Sequence, residues 1–207
     1  ELLQKMDIRT SHNSEQFRLD RECKILFLLY FCCGLRLSEG RLLKWEHIDL
    51  DKGILTVLGS KGNKDRLVYL PQDSLPVLKN YKERQEMLFP GIDWAFPGKD
   101  PHKPVSCSGV ESSFNRHWAM LPVARTVDKH PTPHCLRHAF VVERFNEWMH
   151  QGIDTNTMLP YLSRYLGHKS PDETYYYYHL AGKAFDTIRE KDSVSGKVIP
   201  EVIPYEE

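Results

Sequence analysis

Six positions in this sequence offer groups that can act on one another. They are Arg36 in GLRLSE, Lys61 in SKGNKDR, His134 and Arg137 in HCLRH, His168 in LGHKS, and one of four consecutive tyrosines, Tyr175 to Tyr178, in TYYYYHL. The set is cationic, imidazole and phenolic, with no carboxylate pair and no metal cage. Two guanidiniums can hold the non-bridging oxygens of a phosphate and neutralise the charge of its transition state. A phenol can attack phosphorus and form a covalent phosphodiester. A lysine or histidine can protonate the leaving oxygen. Together they suit phosphoryl transfer without a metal or other cofactor. A phenol with a pKa of about 10 is a weak nucleophile at neutral pH until neighbouring cations or a base assist it.

Each group also has a plainer reading. Arg36 can pair with Glu39 at the start of a helix. Lys61, Lys64 and Arg66 sit around a hairpin turn, where they are either solvated or suited to phosphates. His134, Arg137 and His138 stand at i, i+3 and i+4 and share a helix face, an arrangement suited to an oxyanion. His130, His134 and His138 are spaced by four with Cys135 nearby, which raises a metal site. Pro131 and Pro133 break the helical register before His134, however, and Arg137 would repel a cation. Four tyrosines in a row step round a helix by about 100° each, so they cannot all fill one core face or reach one site. Packing is the alternative role for them.

These groups need elements to hold them. A helix is expected from about Arg18 to Cys33, ending at Gly34. Residues 1 to 15 are polar and are expected to lie loosely on the surface. Ser38 is placed to cap a second helix, LSEGRLLKWEHI. GILTVLGSKGNKDRLVYLP reads as strand, polar turn and strand around Gly59 to Asp65, closed by Pro71. A helix follows from about Ser74 to Met87. Four prolines between Phe89 and Ser108 make that stretch mostly loop. Residues 109 to 120 are expected to be helical. Thr132 and Pro133 can cap and open a helix running to Gly152. Another helix lies around Leu159 to Leu166, stopped by Gly167. A last helix runs from about Asp172 to Glu190, followed by the arm SGKVIPEVIPYEE. The class is α+β, mainly helical with a small antiparallel hairpin.

The 207 residues suit one domain with a tail. Lys+Arg and Asp+Glu are both 28, which argues against wholesale coating of nucleic acid but leaves room for a local basic groove. From Asp186 onward there are six acids and three bases, so the rest carries a small basic excess. The five cysteines form no CxxC pair, which argues against a disulfide framework and for a reducing cytoplasm. The longest apolar run, ILFLLYFCCGL, is shorter than the roughly 20 residues a bilayer span needs. No membrane partner is expected. No signal peptide is visible. The chain begins at Glu1 rather than Met, so it is expected to be a fragment.

The motifs resemble those of the tyrosine recombinases, the phage integrase family, over roughly Arg18 to Ala181. That family's G-L-R-x-S-E box is matched by GLRLSE. Its G-K-G-N-K-x-R hairpin is matched by GSKGNKDR, with one extra residue at Ser60. Its H-x-L-R-H box is matched by HCLRH, and its L-G-H by LGHKS. Its tyrosine nine residues after that histidine falls at Tyr177, with His179 following. Each box alone is weak; five in order are strong.

The resemblance implies a tyrosine-recombinase catalytic domain over residues 1–182 and a C-terminal helix end and tail over 183–207, without the family's N-terminal DNA-clamping domain. It implies that Arg36 and Arg137 clamp the scissile phosphate and that Lys61 protonates the 5′-oxygen. His134 would assist proton transfer with the tyrosine, and His168 would hydrogen-bond a phosphate oxygen. Tyr177 would form a 3′-phosphotyrosyl link. Glu39 and His138 would support this set, and Lys64 and Arg66 would meet double-stranded DNA. The implied assembly is a homo-tetramer on synapsed DNA, with the isolated fragment a monomer. The longer stretch before LGH is similar to a branch associated with mobile elements. Other readings are a type IB topoisomerase, a catalytically silent DNA-binding regulator, and a histidine-metal hydrolase.

Overall fold

The helix α2, Ser14–Cys33, is the pillar of the fold. Asn13 caps it, its side chain accepting from the backbone N–H of Glu15 at 2.9 Å and of Gln16 at 3.3 Å. Gly34 ends it at φ +63°, a left-handed conformation that glycine adopts without a Cβ penalty. Leu26, Phe27, Leu29 and Tyr30 are all buried, so α2 is apolar around most of its girth and must be covered on several sides. The computed structural model describes residues 1–6, 13–60, 64–170 and 172–178, apart from the side chains of residues 60, 64, 172 and 178.

Around α2 lie α1 (Leu2–Lys5), α3 (Leu37–Arg41), α4 (Leu75–Leu88), α5 (Cys107–Trp118) and α6 (His134–His150). The strands β1 (Ile48–Asp49), β2 (Ile54–Ser60) and β3 (Lys64–Tyr69) form an antiparallel sheet in that order. Leu55 faces Val68 and Val57 faces Arg66, and the register shifts between Val57 and Ser60 near the turn. Leu55, Val57 and Val68 bury their side chains in the same core as α2. A second core cluster joins α6 to α7 (Thr155–Leu166) and α8 (Asp172–Tyr178) through Phe140, Val141, Phe145, Leu159, Leu162, Leu166 and Tyr177. Tyr165 packs against both clusters and ties them together.

The α+β, mainly helical class is as expected, and several sequence-based boundaries change. The helix expected over LSEGRLLKWEHI stops at Arg41, followed by a 3-10 turn at Trp45–His47 and then β1, and α7 begins at Thr155 rather than near Leu159. The N-terminal segment is not loose throughout: Met6 is only 1% exposed and belongs to the main core, with Leu2 and Leu3 packed beside it. Ser38 does not cap α3. Arg36 occupies that position in an extended conformation, and its N–H donates to Oε2 of Glu39 at 2.7 Å. The helix α6 starts at His134, with Pro133 before it, and Thr132 takes the Cys135 N–H on its backbone carbonyl at 2.9 Å. The expected helical continuation to Glu190 and the arm beyond it lie outside the described residues, beyond Tyr178.

Candidate active site

Two helix ends build the site. The C-terminal carbonyls of a helix carry partial negative charge and have no partners within the helix, so they attract cations. The end of α2, at Gly34, meets the end of α7, at Leu166 and Gly167. Arg137, one turn into α6, reaches both: Nη1 donates to the carbonyl of Gly34 at 2.6 Å and Nη2 to that of Leu166 at 2.9 Å. Its side chain is 1% exposed. Burial, and then Arg36, lowers its pKa to about 10, so it stays charged at neutral pH. Arg36 reaches the same junction from the other side, Nη2 donating to the carbonyl of Gly167 at 2.7 Å.

Glu39 is the counter-charge. Its Oε1 accepts from Arg36 Nη1 at 2.8 Å and from Arg66 Nη1 at 2.8 Å, and its Oε2 accepts from Arg66 Nη2 at 2.7 Å. Arg137 Nη1 lies 3.9 Å from the same Oε2. Burial pushes the Glu39 carboxyl up, but the hydrogen bonds from Arg66 and from the Arg36 backbone outweigh it and hold the pKa near about 2.

His168 follows Gly167, which turns the chain at φ +67°. Its Nε2 lies 3.0 Å from Arg137 Nη2 and its Nδ1 lies 2.7 Å from Thr174 Oγ1. A guanidinium can only donate, so Nε2 must be the acceptor and Nδ1 carries the proton to Thr174. Burial, with Arg137 next in weight, lowers the pKa of His168 to about 4. The ring is therefore neutral and in one tautomer.

Tyr177 stands over this group. Its ring centroid is 5.1 Å from that of His138, and 6.4 Å from that of His168 at an interplanar angle of 11°. It is 6% exposed. Burial raises its phenol pKa, while Arg137 pulls it down. Tyr176 is 64% exposed and Tyr175 turns away to donate to Asn156 Oδ1 at 2.9 Å. Of the three tyrosines with described side chains, Tyr177 is the one that meets the arginines and histidines. His134 lies on the exposed rim. Its ring crosses that of His138 at 4.5 Å, and burial of its inner edge, followed by His138 and Arg137, depresses its pKa. His138 stands between His134 and Tyr177; burial and then Arg137 depress its pKa, and its Nδ1 is buried without a partner.

The structure thus brings together Arg36, Glu39, His134, Arg137, His138, His168 and Tyr177, which the sequence places up to 141 residues apart. Lys61 lies outside the described residues, and Lys64 opens β3 with its side chain undescribed. Arg66, expected beside them at the hairpin, spends both terminal nitrogens on Glu39. His130 faces Trp118, with Nδ1 2.7 Å from the Pro131 carbonyl, apart from the His134–His138 pair. Sequence reasoning missed Thr174, because nothing in its spacing from His168 signals a contact. Gly167 was noticed only as a helix stop.

The model of the Phage integrase family matches residues 6–183. The chain belongs to the phage integrase family. Among curated relatives of this integrase-family chain, a putative integrase/recombinase (y4rE) of Sinorhizobium fredii is 34% identical over 147 residues, covering 70% of this chain and 46% of the relative. The tyrosine recombinase XerA of Pyrococcus furiosus is 33% identical over 162 residues, covering 77% and 51%. The chain spans about half the length of the curated relatives it matches. Among solved structures, a XerA recombinase superimposes with a TM-score of 0.67 at 21% identity, covering 93% of this chain and 63% of that one. A XerH site-specific recombinase bound to palindromic difH superimposes at 0.70, with 21% identity, covering 93% and 49%. These likenesses establish the tyrosine-recombinase catalytic fold for this integrase-family chain.

Proposed function

We propose that the chain is the catalytic part of a site-specific recombinase that cuts and rejoins double-stranded DNA through a 3′-phosphotyrosyl intermediate, serving integration or excision of a mobile element. The observation that carries this reading is the meeting of Arg36, Arg137, His168 and Tyr177 at the joined ends of α2 and α7. Membership of the phage integrase family supports it, as does the likeness to a recombinase solved on its DNA substrate.

In this mechanism Arg36 and Arg137 hold the non-bridging oxygens of the scissile phosphate. The Tyr177 oxygen attacks phosphorus as its proton passes towards the His134–His138 pair. The bond from phosphorus to the 5′-oxygen breaks, and Lys61 supplies the proton that this oxygen takes up. The 5′-hydroxyl of a partner strand then attacks the phosphotyrosyl link and releases Tyr177. One phosphodiester is exchanged for another, so bond energy is conserved through the covalent intermediate and no ATP is consumed. Lys64 meets the DNA backbone. The active assembly is a homo-tetramer on two synapsed duplexes in the bacterial cytoplasm. Among the described residues no helix is long and apolar enough to cross a membrane.

The test is covalent trapping by the full-length protein on nicked suicide duplexes drawn from the DNA flanking its gene, run on a denaturing gel in the presence of chelator. A protein–DNA adduct lost with Tyr177→Phe and retained with Tyr176→Phe is the expected result. Loss with Tyr176→Phe alone moves the nucleophile by one residue. No adduct on a duplex shown to bind overturns the cleavage reading in favour of a silent DNA-binding regulator.

A further inference from the structure

We propose that Arg66 is a positioning residue of the arginine clamp, acting through Glu39 rather than by touching DNA. The inference rests on the cleavage reading above and assigns a role within the same site.

The geometry is a fork on a fork. Both terminal nitrogens of Arg66 donate to the two oxygens of Glu39, at 2.8 and 2.7 Å. Such bidentate pairs fix orientation as well as charge, and a lysine cannot reproduce them. The Arg66 side chain is only 10% exposed, so its head group faces inward from β3. Because Arg36 Nη1 shares Oε1 of Glu39 with Arg66 Nη1, a shift of Arg66 is transmitted to Arg36 through one atom.

Charge gives the second argument. Three guanidiniums surround one carboxylate here. Without Arg66, the negative charge of Glu39 offsets one of the two cations presented to the phosphate. With Arg66 in place that charge is already matched, and Arg36 and Arg137 keep their full attraction for an anion. The third argument is Gly167. A Cβ at this position would lie 3.2 Å from Arg66 Nη1 and 3.4 Å from Arg36 Nη1. Both guanidiniums therefore pack on the bare α-carbon of the residue that turns the chain into His168. Arg66 joins three pieces of the site: the hairpin, the start of α3 and the α7 turn.

The experiment compares wild-type full-length protein with Arg66→Gln and Arg66→Lys in single-turnover cleavage. One suicide duplex carries a phosphodiester at the cut position. The other carries a methylphosphonate, in which methyl replaces one non-bridging oxygen and the linkage is neutral. Affinity for uncut duplex is measured against salt. If Arg66 preserves the clamp's charge, Arg66→Gln slows phosphodiester cleavage by about 100-fold, and the deficit shrinks at least about tenfold on the neutral linkage. Arg66→Lys falls between the two, and the salt slope of binding stays unchanged. An equal deficit on both linkages assigns Arg66 to the fold alone and overturns the proposal. So does no deficit on either, and so does a salt slope lowered by about one, the mark of a lost phosphate contact. If Arg66→Gln does not fold, Arg66→Lys carries the same comparison. A wild-type protein that binds the duplex but never forms the adduct overturns the cleavage reading itself, before any variant is compared.

Discussion

Arg137 donates to Nε2 of His168 at 3.0 Å, and this single contact decides where the imidazole keeps its proton. The proton sits on Nδ1, facing Thr174, so the nitrogen turned towards the arginines accepts rather than donates. To donate to a phosphate oxygen, His168 must gain a proton on Nε2 or change tautomer. The anion itself supplies the means, because its charge beside Arg137 offsets the cation that, after burial, depresses the His168 pKa.

For the DNA-free protein, nitrogen-detected NMR should therefore show His168 as the neutral Nδ1–H tautomer down to a pKa of about 4. Binding of duplex DNA should move that titration to higher pH and bring a proton to Nε2. The linkage has a definite sign. The unfolded histidine titrates near about 6.5, above the folded value, so the unfolded state takes up its proton first. The His168 contribution to stability is constant above that pH and falls as pH drops from about 6.5 to about 4. An Nε2 that stays bare in the DNA complex would rule out the phosphate-donor role.

Thr174 is fully buried and holds the other side of the ring at 2.7 Å. Replacing it by valine keeps the shape and strands the Nδ1–H. The expected cost is about 1–3 kcal/mol of unfolding free energy, read by urea denaturation at pH 7. Cleavage should slow as well, because the ring loses the bond that sets its tautomer. A variant as stable and as fast as wild type would show the contact to be incidental.

Gly167→Ala tests the close approach at the α7 turn. A left-handed φ of +67° costs a non-glycine residue about 1–2 kcal/mol. The added methyl would also press on Arg66 and Arg36. Cleavage should fall more than DNA affinity does, since backbone contacts elsewhere on the surface are untouched. The comparison needs only the adduct assay and a binding curve on the same duplex.

Glu39→Gln should show an altered acid limb. The Glu39 carboxyl titrates near about 2 in the fold and at 4.5 ordinarily. Its contribution is therefore fully present above pH 4.5 and is lost as pH falls towards 2. A shift of that size corresponds to about 3 kcal/mol. Urea denaturation across this range should give a shallower pH dependence for the variant than for wild type. At pH 7 the variant should be less stable by about 3 kcal/mol, because buried arginines lose their counter-charge. Equal pH slopes in the two proteins would contradict this assignment of Glu39.

Much of the site was legible because its parts are local. Arg36 and Glu39 lie within one helical turn, so their ion pair follows from spacing alone. His134, Arg137 and His138 share a face of α6 for the same reason, and the glycines after α2 and α7 marked the helix ends that became the site. The β2–β3 hairpin was readable from two β-rich runs around a polar turn. Stepping of about 100° per residue also showed that four successive tyrosines must point in different directions.

Tertiary structure decided the rest, because those relationships have no local signal. The period of α8 does not say which tyrosine turns inward; packing of α8 against α6 and α7 does, and it buries Tyr177 while leaving Tyr176 outside. Arg36 and Gly167 are 131 positions apart, and Arg137 and Gly34 are 103 apart, yet each pair is hydrogen-bonded. Arg66 read as one more hairpin cation because composition records its charge and not its direction. Only the fold shows that the charge faces Glu39. The residue types determined which chemistry was possible here. The meeting of two helix C-termini, whose partly negative carbonyls can hold buried arginines, determined where it is assembled.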